Sequence, residues 1–268
     1  MQTGFAKPKL TKVEFKERLY RRRYLVPNLV TLGNMFYGFL AIIYAASGRY
    51  EKAAIAIGVA IILDGLDGRV ARRLNATSKF GVEFDSLSDL VSFGVAPAML
   101  MYHWCFRVPA DEFGVMVTFI YALCGGSRLA RFNISPENLK GFTGLPIPGA
   151  AAAVGSLIYF FPVIEPTRAW VTFNTIYMLL FAYLMVSNIE YYSIKKLRVR
   201  DIPVLGAWPF GSMIVLIGGA LAFFWYTPHF AFMGVSLGYA LHGPVLKIWR
   251  WFRGSGSGSH RPELQEAV

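Results

Sequence analysis

Apolar residues fall in eight long blocks, near 28–48, 52–72, 83–105, 113–130, 148–165, 169–189, 204–225 and 228–248. Each approaches the roughly 20 residues that a helix rising 1.5 Å per residue needs to cross the hydrocarbon core of a bilayer, and the fifth is short. Between the blocks lie turn signals: Ser47-Gly48, Val108-Pro109, Pro136, Pro162, Pro166, Pro203 and Thr227-Pro228. The pattern predicts an all-α, polytopic membrane helix bundle with about eight transmembrane helices. It divides the chain into a basic segment (1–25), a membrane-embedded domain (26–252) and a flexible tail (253–268) that opens with a Gly/Ser repeat.

Composition agrees with this division. At 55% hydrophobic and 16% charged residues, the chain is too apolar for an ordinary soluble domain of 268 residues. The net charge of +11 finds its explanation in topology. With the N-terminus inside, 23 of the 27 Lys and Arg fall on the cytoplasmic side, leaving only Arg49, Lys52, Arg107 and Arg168 opposite. The positive-inside rule therefore predicts both termini in the cytoplasm and a protein of the cytoplasmic (inner) membrane, with no nucleic acid among its partners. Residues 7–23 interleave Lys and Arg with Leu10, Val13, Phe15, Leu19 and Tyr20, which reads either as an interfacial amphipathic helix or as a basic tail. No secretory signal peptide is read, because the first apolar stretch comes late and lacks a cleavage site. Cys105, Cys124 and the scattered histidines show no zinc-type spacing.

Four carboxylates interrupt the second and third blocks: Asp64 and Asp67, three residues apart, then Asp85 and Asp89, four apart. On a helix each pair shares a face. Acidic residues inside a membrane segment point to function, and two facing pairs would repel one another unless divalent cations sat between them. Oxygen ligands of this hardness suit Mg²⁺ or Mn²⁺. Asp64 comes about 13 residues after Glu51, roughly 20 Å along the second helix. Asp89 lies some eight residues beyond Gly81, roughly 12 Å into the third. Both pairs then sit in the cytoplasmic half of the bilayer, where a water-soluble head group meets a lipid. Gly65 and Gly68 remove side chains beside the acids, where a phosphate or nucleotide would approach, and Arg72 lies one turn beyond Gly68 with a guanidinium suited to phosphate.

The segment from Asp64 to Asp89 resembles the signature of the CDP-alcohol phosphotransferases, D-x2-D-G-x2-A-R-x8-G-x3-D-x3-D. Asp64, Asp67, Gly68, Ala71, Arg72, Gly81, Asp85 and Asp89 meet every fixed position. Four further stretches are similar to the phosphatidylserine synthase branch of that family: Val26 to Asn34, Ser88 to Pro97, Ser127 to Asn133 and Phe142 to Pro146. The resemblance covers about residues 24–200.

It implies transfer of a phosphatidyl group from CDP-diacylglycerol to the hydroxyl of L-serine, giving phosphatidylserine and CMP with two divalent cations, by an enzyme that is a homodimer in the lipid bilayer. Asp64, Asp67 and Asp85 would be metal ligands, with Asp85 the bridge. Asp89 would complete the second metal site and take the proton from serine. Gly68, Ala71, Arg72 and Gly81 would line the CDP site, with Thr31 and Asn34 contacting the nucleotide or its diphosphate. Arg128, Arg131 and Asn133 are candidates for the acceptor; their alternative is cationic anchoring at a helix C-terminus. Another acceptor, glycerol 3-phosphate or inositol, and a cation transporter remain open at this point. A prenyltransferase would need a second acidic motif, and none is found.

Overall fold

The computed structural model describes residues 12–74, 78–108, 110–134, 142–165, 167–191 and 227–254. Among them the chain is helical apart from two paired two-residue strands. The seventh apolar block and the Gly/Ser tail lie outside the described residues.

Helix α1 (Lys12–Ala46) takes in part of the basic segment and carries Pro27 within it. Its buried positions are Pro27, Thr31, Asn34, Gly38, Ala41 and Ala45, alternately four and three residues apart. The opposite face exposes Val26, Leu29, Leu32, Phe36, Phe39 and Ile43. Small and polar residues inside and large apolar residues outside invert the pattern of a soluble amphipathic helix. That is the arrangement expected where lipid is the solvent and close helix approach drives packing. Gly48, at φ 72°, ends α1: its N–H bonds to Ala45 O while that of Arg49 bonds to Tyr44 O, the paired bonds of a Schellman turn. Helix α2 (Tyr50–Leu74) then returns antiparallel along α1.

The third block becomes a composite helix. α3 (Lys79–Asp89) passes through a π-helical turn (Leu90–Val95) into α4 (Ala96–Met101) and a second π turn (Tyr102–Phe106), with right-handed helical backbone at each junction. Pro97 gives a local reason for the first π turn. It has no N–H for the Phe93 carbonyl, and in a regular α-helix its ring would clash there. Across the i→i+5 turn the Ala96 N–H bonds to Val91 O, and the Phe93 carbonyl accepts instead from the buried Tyr121 hydroxyl, 3.3 Å away.

Tyr121 belongs to α5 (Asp111–Ile134), which packs against α7 (Arg168–Val186). Between them in sequence, α6 (Ile147–Phe160) has only 14 residues and stops before Pro162, shorter than its apolar block. Its small buried positions, Ala150, Ala151, Ala153, Gly155 and Ser156, let α2 and α8 (Pro228–Gly254) approach closely. Strands β1 (Phe142–Thr143) and β2 (Glu190–Tyr191) pair antiparallel and tie the start of α6 to the end of α7. Gly144 follows at φ 81°, its N–H bonded to Ile189 O, and a Cβ there would lie 2.5 Å from the Met185 carbonyl.

Among the described residues, three helical stretches, Val26–Ala46, Asp111–Ile134 and Arg168–Val186, are long and apolar enough to cross a membrane. Aromatic rings gather at the end where α2, α7 and α8 begin: Trp104 is 6.0 Å from Trp170, Phe161 5.6 Å from Trp170, and Phe160 4.7 Å from Phe230. Trp is among the residues enriched at membrane–water interfaces. The acids lie toward the opposite ends of α2 and α3.

Candidate active site

Helices α1, α2 and α3 meet at the acids, and small polar groups on α1 make the meeting possible. Gly38 has no room for a side chain, since a Cβ would fall 2.6 Å from the Ser92 Cα in the π turn. That close approach lets Ser88 donate to the Thr31 carbonyl (3.1 Å) and Ser92 to the Asn34 carbonyl (3.0 Å), both bonds buried. The side chains of Thr31 and Asn34 are thereby aimed at the neighbouring helices.

Each meets a carboxylate. Thr31 Oγ1 donates to Asp67 Oδ2 across α1 and α2, and Asn34 Nδ2 donates to Asp89 Oδ1 across α1 and α3, both at 3.2 Å. Because a carboxylate only accepts when ionised, this second bond fixes which end of the Asn34 amide is nitrogen. Asn34 Oδ1, fully buried, has no partner among the described residues.

Asp64, Asp67 and Asp85 each present an oxygen within 4.8 Å of the others. Asp85 Oδ1 is buried and has no hydrogen-bond donor among the described residues. An all-oxygen donor set with an orphaned buried oxygen is what a hard divalent cation requires, so these residues fit such an ion. Asp89 sits beside this trio, within electrostatic reach of all three, but is held separately by Asn34.

The other residues singled out in the sequence occupy distinct places. Gly65 is exposed with open space where its side chain would be, and Gly68 has only the Arg72 guanidinium nearby, 3.6 Å from a would-be Cβ. Arg72 thus folds back along α2 toward the acids, past the partly buried Ala71. Gly81 accompanies the α3 N-cap: its N–H bonds to Ser78 Oγ at 3.0 Å, and a Cβ would crowd Asn28 Oδ1 at 3.3 Å.

The three acceptor candidates on α5 separate. Arg131 is engaged with the end of α7, donating to the Val186 carbonyl (3.1 Å) and Asn188 Oδ1 (2.8 Å). Asn133 donates to Ser86 on α3 at 3.0 Å. Arg128 differs, being nine-tenths buried with its Nε unpartnered among the described residues. It lies within electrostatic reach of Asp89 and of Tyr239 on α8.

Sequence reasoning missed the hydrogen bonds from Thr31 and Asn34 to the acids, the Ser88 and Ser92 contacts, and Tyr239. One signal was available: the small or polar residues at 31, 34 and 38 have the same three-and-four spacing as those at 85, 88 and 92.

Small-residue helix interfaces, a lipid-facing apolar surface and a partly buried acidic trio define an integral membrane protein with a cation-type site at a helix junction. A family model described as CDP-alcohol phosphatidyltransferase matches residues 24–186. Over 182 residues the chain is 41% identical to CDP-diacylglycerol–serine O-phosphatidyltransferase of Helicobacter pylori, covering 65% of this chain and 75% of that protein. The protein of the same name from Bacillus subtilis is 36% identical over 188 residues, 68% of this chain and 98% of that one. Archaetidylserine synthase of Methanothermobacter thermautotrophicus is 38% identical over 168 residues, 62% and 69% of the two chains. The chain belongs to the CDP-alcohol phosphatidyltransferase family.

Proposed function

We propose that this protein is an enzyme that transfers the phosphatidyl group of CDP-diacylglycerol to the hydroxyl of L-serine, releasing CMP and phosphatidylserine. The observation that carries the reading is the gathering of the complete acidic motif at one junction, in a chain whose relatives are named for this reaction. Asp64, Asp67 and Asp85 would hold two divalent cations, Mg²⁺ or Mn²⁺, with Asp89 completing the set. When bound, such ions offset charge on a diphosphate and on departing CMP.

The remaining work falls to side chains. Asp89, aimed by Asn34, accepts the serine hydroxyl proton as the hydroxyl oxygen bonds to the lipid-side phosphorus and the bond to CMP breaks. Thr31 orients Asp67. The bare faces of Gly65 and Gly68 leave space for the diphosphate, Arg72 reaches it from α2, and Ala71 and Gly81 border the nucleotide. Thr31 and Asn34 act on the substrate through the acids they orient. Arg128 holds the acceptor carboxylate, while Arg131 and Asn133 fix the end of α5 that carries it.

The proposal includes about eight spans, both termini and the site on the cytoplasmic side of the inner membrane, and a homodimer. Arg69, Arg72, Arg73 and Lys79 at the acidic end of α2 and α3, against Arg49, Lys52, Arg107 and Arg168 at the other, support that orientation. Purified protein in detergent should release CMP with CDP-diacylglycerol, Mn²⁺ or Mg²⁺ and serine, and excess chelator should abolish the release. CMP formation with glycerol 3-phosphate or inositol but not serine would replace the acceptor; cation flux without CMP would replace the reaction. Native mass spectrometry tests the dimer.

A further inference from the structure

Tyr121 is the largest fully buried side chain among the described residues, and its polar atom is turned toward the backbone of the third helix. The hydroxyl donates to the Phe93 carbonyl at 3.3 Å, inside the π turn that begins directly after Asp89. An unpartnered carbonyl in a membrane interior is costly, and Pro97 has no N–H to offer this one. Tyr121 therefore supplies, from another helix, the donor that lets residue 93 stay in the wider turn.

Glycines bring α5 close enough for this contact. A Cβ on Gly125, one turn after Tyr121, would lie 3.7 Å from the Gly94 Cα and 2.8 Å from Ile147 Cδ1. One on Gly94 would meet Leu90 Cδ1 at 3.1 Å and the Ala122 carbonyl at 3.8 Å. Tyr121, Gly125 and Arg128, at i, i+4 and i+7, lie along one buried face of α5. The face that presents Arg128 is thus the face that grips the π turn.

The winding of that turn decides where Asp89 points. Before it, Ser88 and Asp89 are bonded to α1, and after it Leu100 and Met101 are fully buried in the core. With the residue count unchanged, closing the turn to i→i+4 bonding would wind about a further 100° between Asp89 and Pro97. One of the two halves would then leave its contacts. We infer that Tyr121 is a positioning residue: by holding the π turn open from α5, it sets the direction in which Asp89 presents its carboxylate to the acceptor hydroxyl. The inference rests on the reaction proposed above and adds to it a residue that acts through Asp89.

The test uses full-length purified enzyme in detergent with Mn²⁺ and saturating CDP-diacylglycerol. Tyr121→Phe should lower kcat with serine about tenfold and leave the CDP-diacylglycerol KM and Mn²⁺ binding by calorimetry within about twofold. In the Asp89→Asn background the same change should lower the residual kcat by less than about twofold, since no base is left to aim. Pro97→Ala offers the Phe93 carbonyl an N–H within the helix. Alone it should keep kcat within about threefold, with Tyr121 still holding the turn; added to Tyr121→Phe it should restore the melting temperature and leave kcat low. That double variant, set against Pro97→Ala, carries the comparison if Tyr121→Phe by itself does not fold. An unchanged kcat in folded Tyr121→Phe, an equal loss in the parent and Asp89→Asn backgrounds, or recovery of kcat together with stability in the double variant would each overturn the inference while the reaction stands. If the parent enzyme releases CMP with glycerol 3-phosphate or inositol in place of serine, the reaction assigned above fails, and the same cycle with that acceptor decides the role of Tyr121.

Discussion

Asp85 and Asp89 are one helical turn apart, yet their surroundings differ in kind. Asp85 joins the oxygen trio with an unpartnered atom, and Asp89 takes a buried amide donor from α1. Replacing each by Asn should therefore have different consequences. Asp89→Asn should keep Mn²⁺ binding by calorimetry while kcat falls on the order of 10²-fold or more, because an amide cannot take the hydroxyl proton. Asp85→Asn should lose most of its Mn²⁺ binding. The reverse pattern would exchange the two roles. Arg72, folded back over Gly68, belongs to the donor side. Arg72→Ala should raise the CDP-diacylglycerol KM by about tenfold or more and leave the serine KM nearly unchanged in steady-state kinetics. The acids themselves were legible because the motif spans 26 residues at fixed helical spacings. The groups that aim them were not, since Asn34 and Asp89 are 55 positions apart and no local period relates them.

At the scale of elements, the crossing of α1 with the composite third helix controls the site's dimensions. Gly38→Ala must push Ser92 away, loosening both serine–carbonyl bonds and moving Asn34 off Asp89. Overpacking at such a crossing costs about 1–3 kcal/mol, so thermal unfolding in detergent should shift down by several degrees. Activity should fall further than that stability loss alone explains. The helices could be read from blocks of apolar residues, including the lipid-facing stripe on α1. The π turns could not, because residues 90–106 are apolar apart from Ser92 and His103 and only Pro97 marks a break. The short α6 was also hard to bound, since its alanine-rich run continues in hydropathy past the point where Phe161 and Pro162 end it.

For the whole molecule, the acidic end and the aromatic end define a direction, which site-directed labelling can read. In right-side-out vesicles, Lys79→Cys should be protected from an impermeant maleimide and Arg49→Cys should react; inside-out vesicles should show the opposite. Identical labelling of both positions would reject the orientation. Basic residues made that direction legible, whereas the packing of Tyr239 over Gly149 depends on tertiary contact between α8 and α6. The π turn at Leu90–Val95 has one more consequence, for the lengths that related chains can adopt. An i→i+5 turn holds a spare residue relative to an i→i+4 turn, so this helix carries slack between Asp89 and Pro97. Losing a residue there would bring the proline ring against a carbonyl and bend the helix, yet leave Asp89 on its face. Losing one between Asp85 and Asp89 has no slack to draw on and swings Asp85 about 100° relative to Asp89. Insertions and deletions should accordingly be accommodated after the last aspartate and never between the acids.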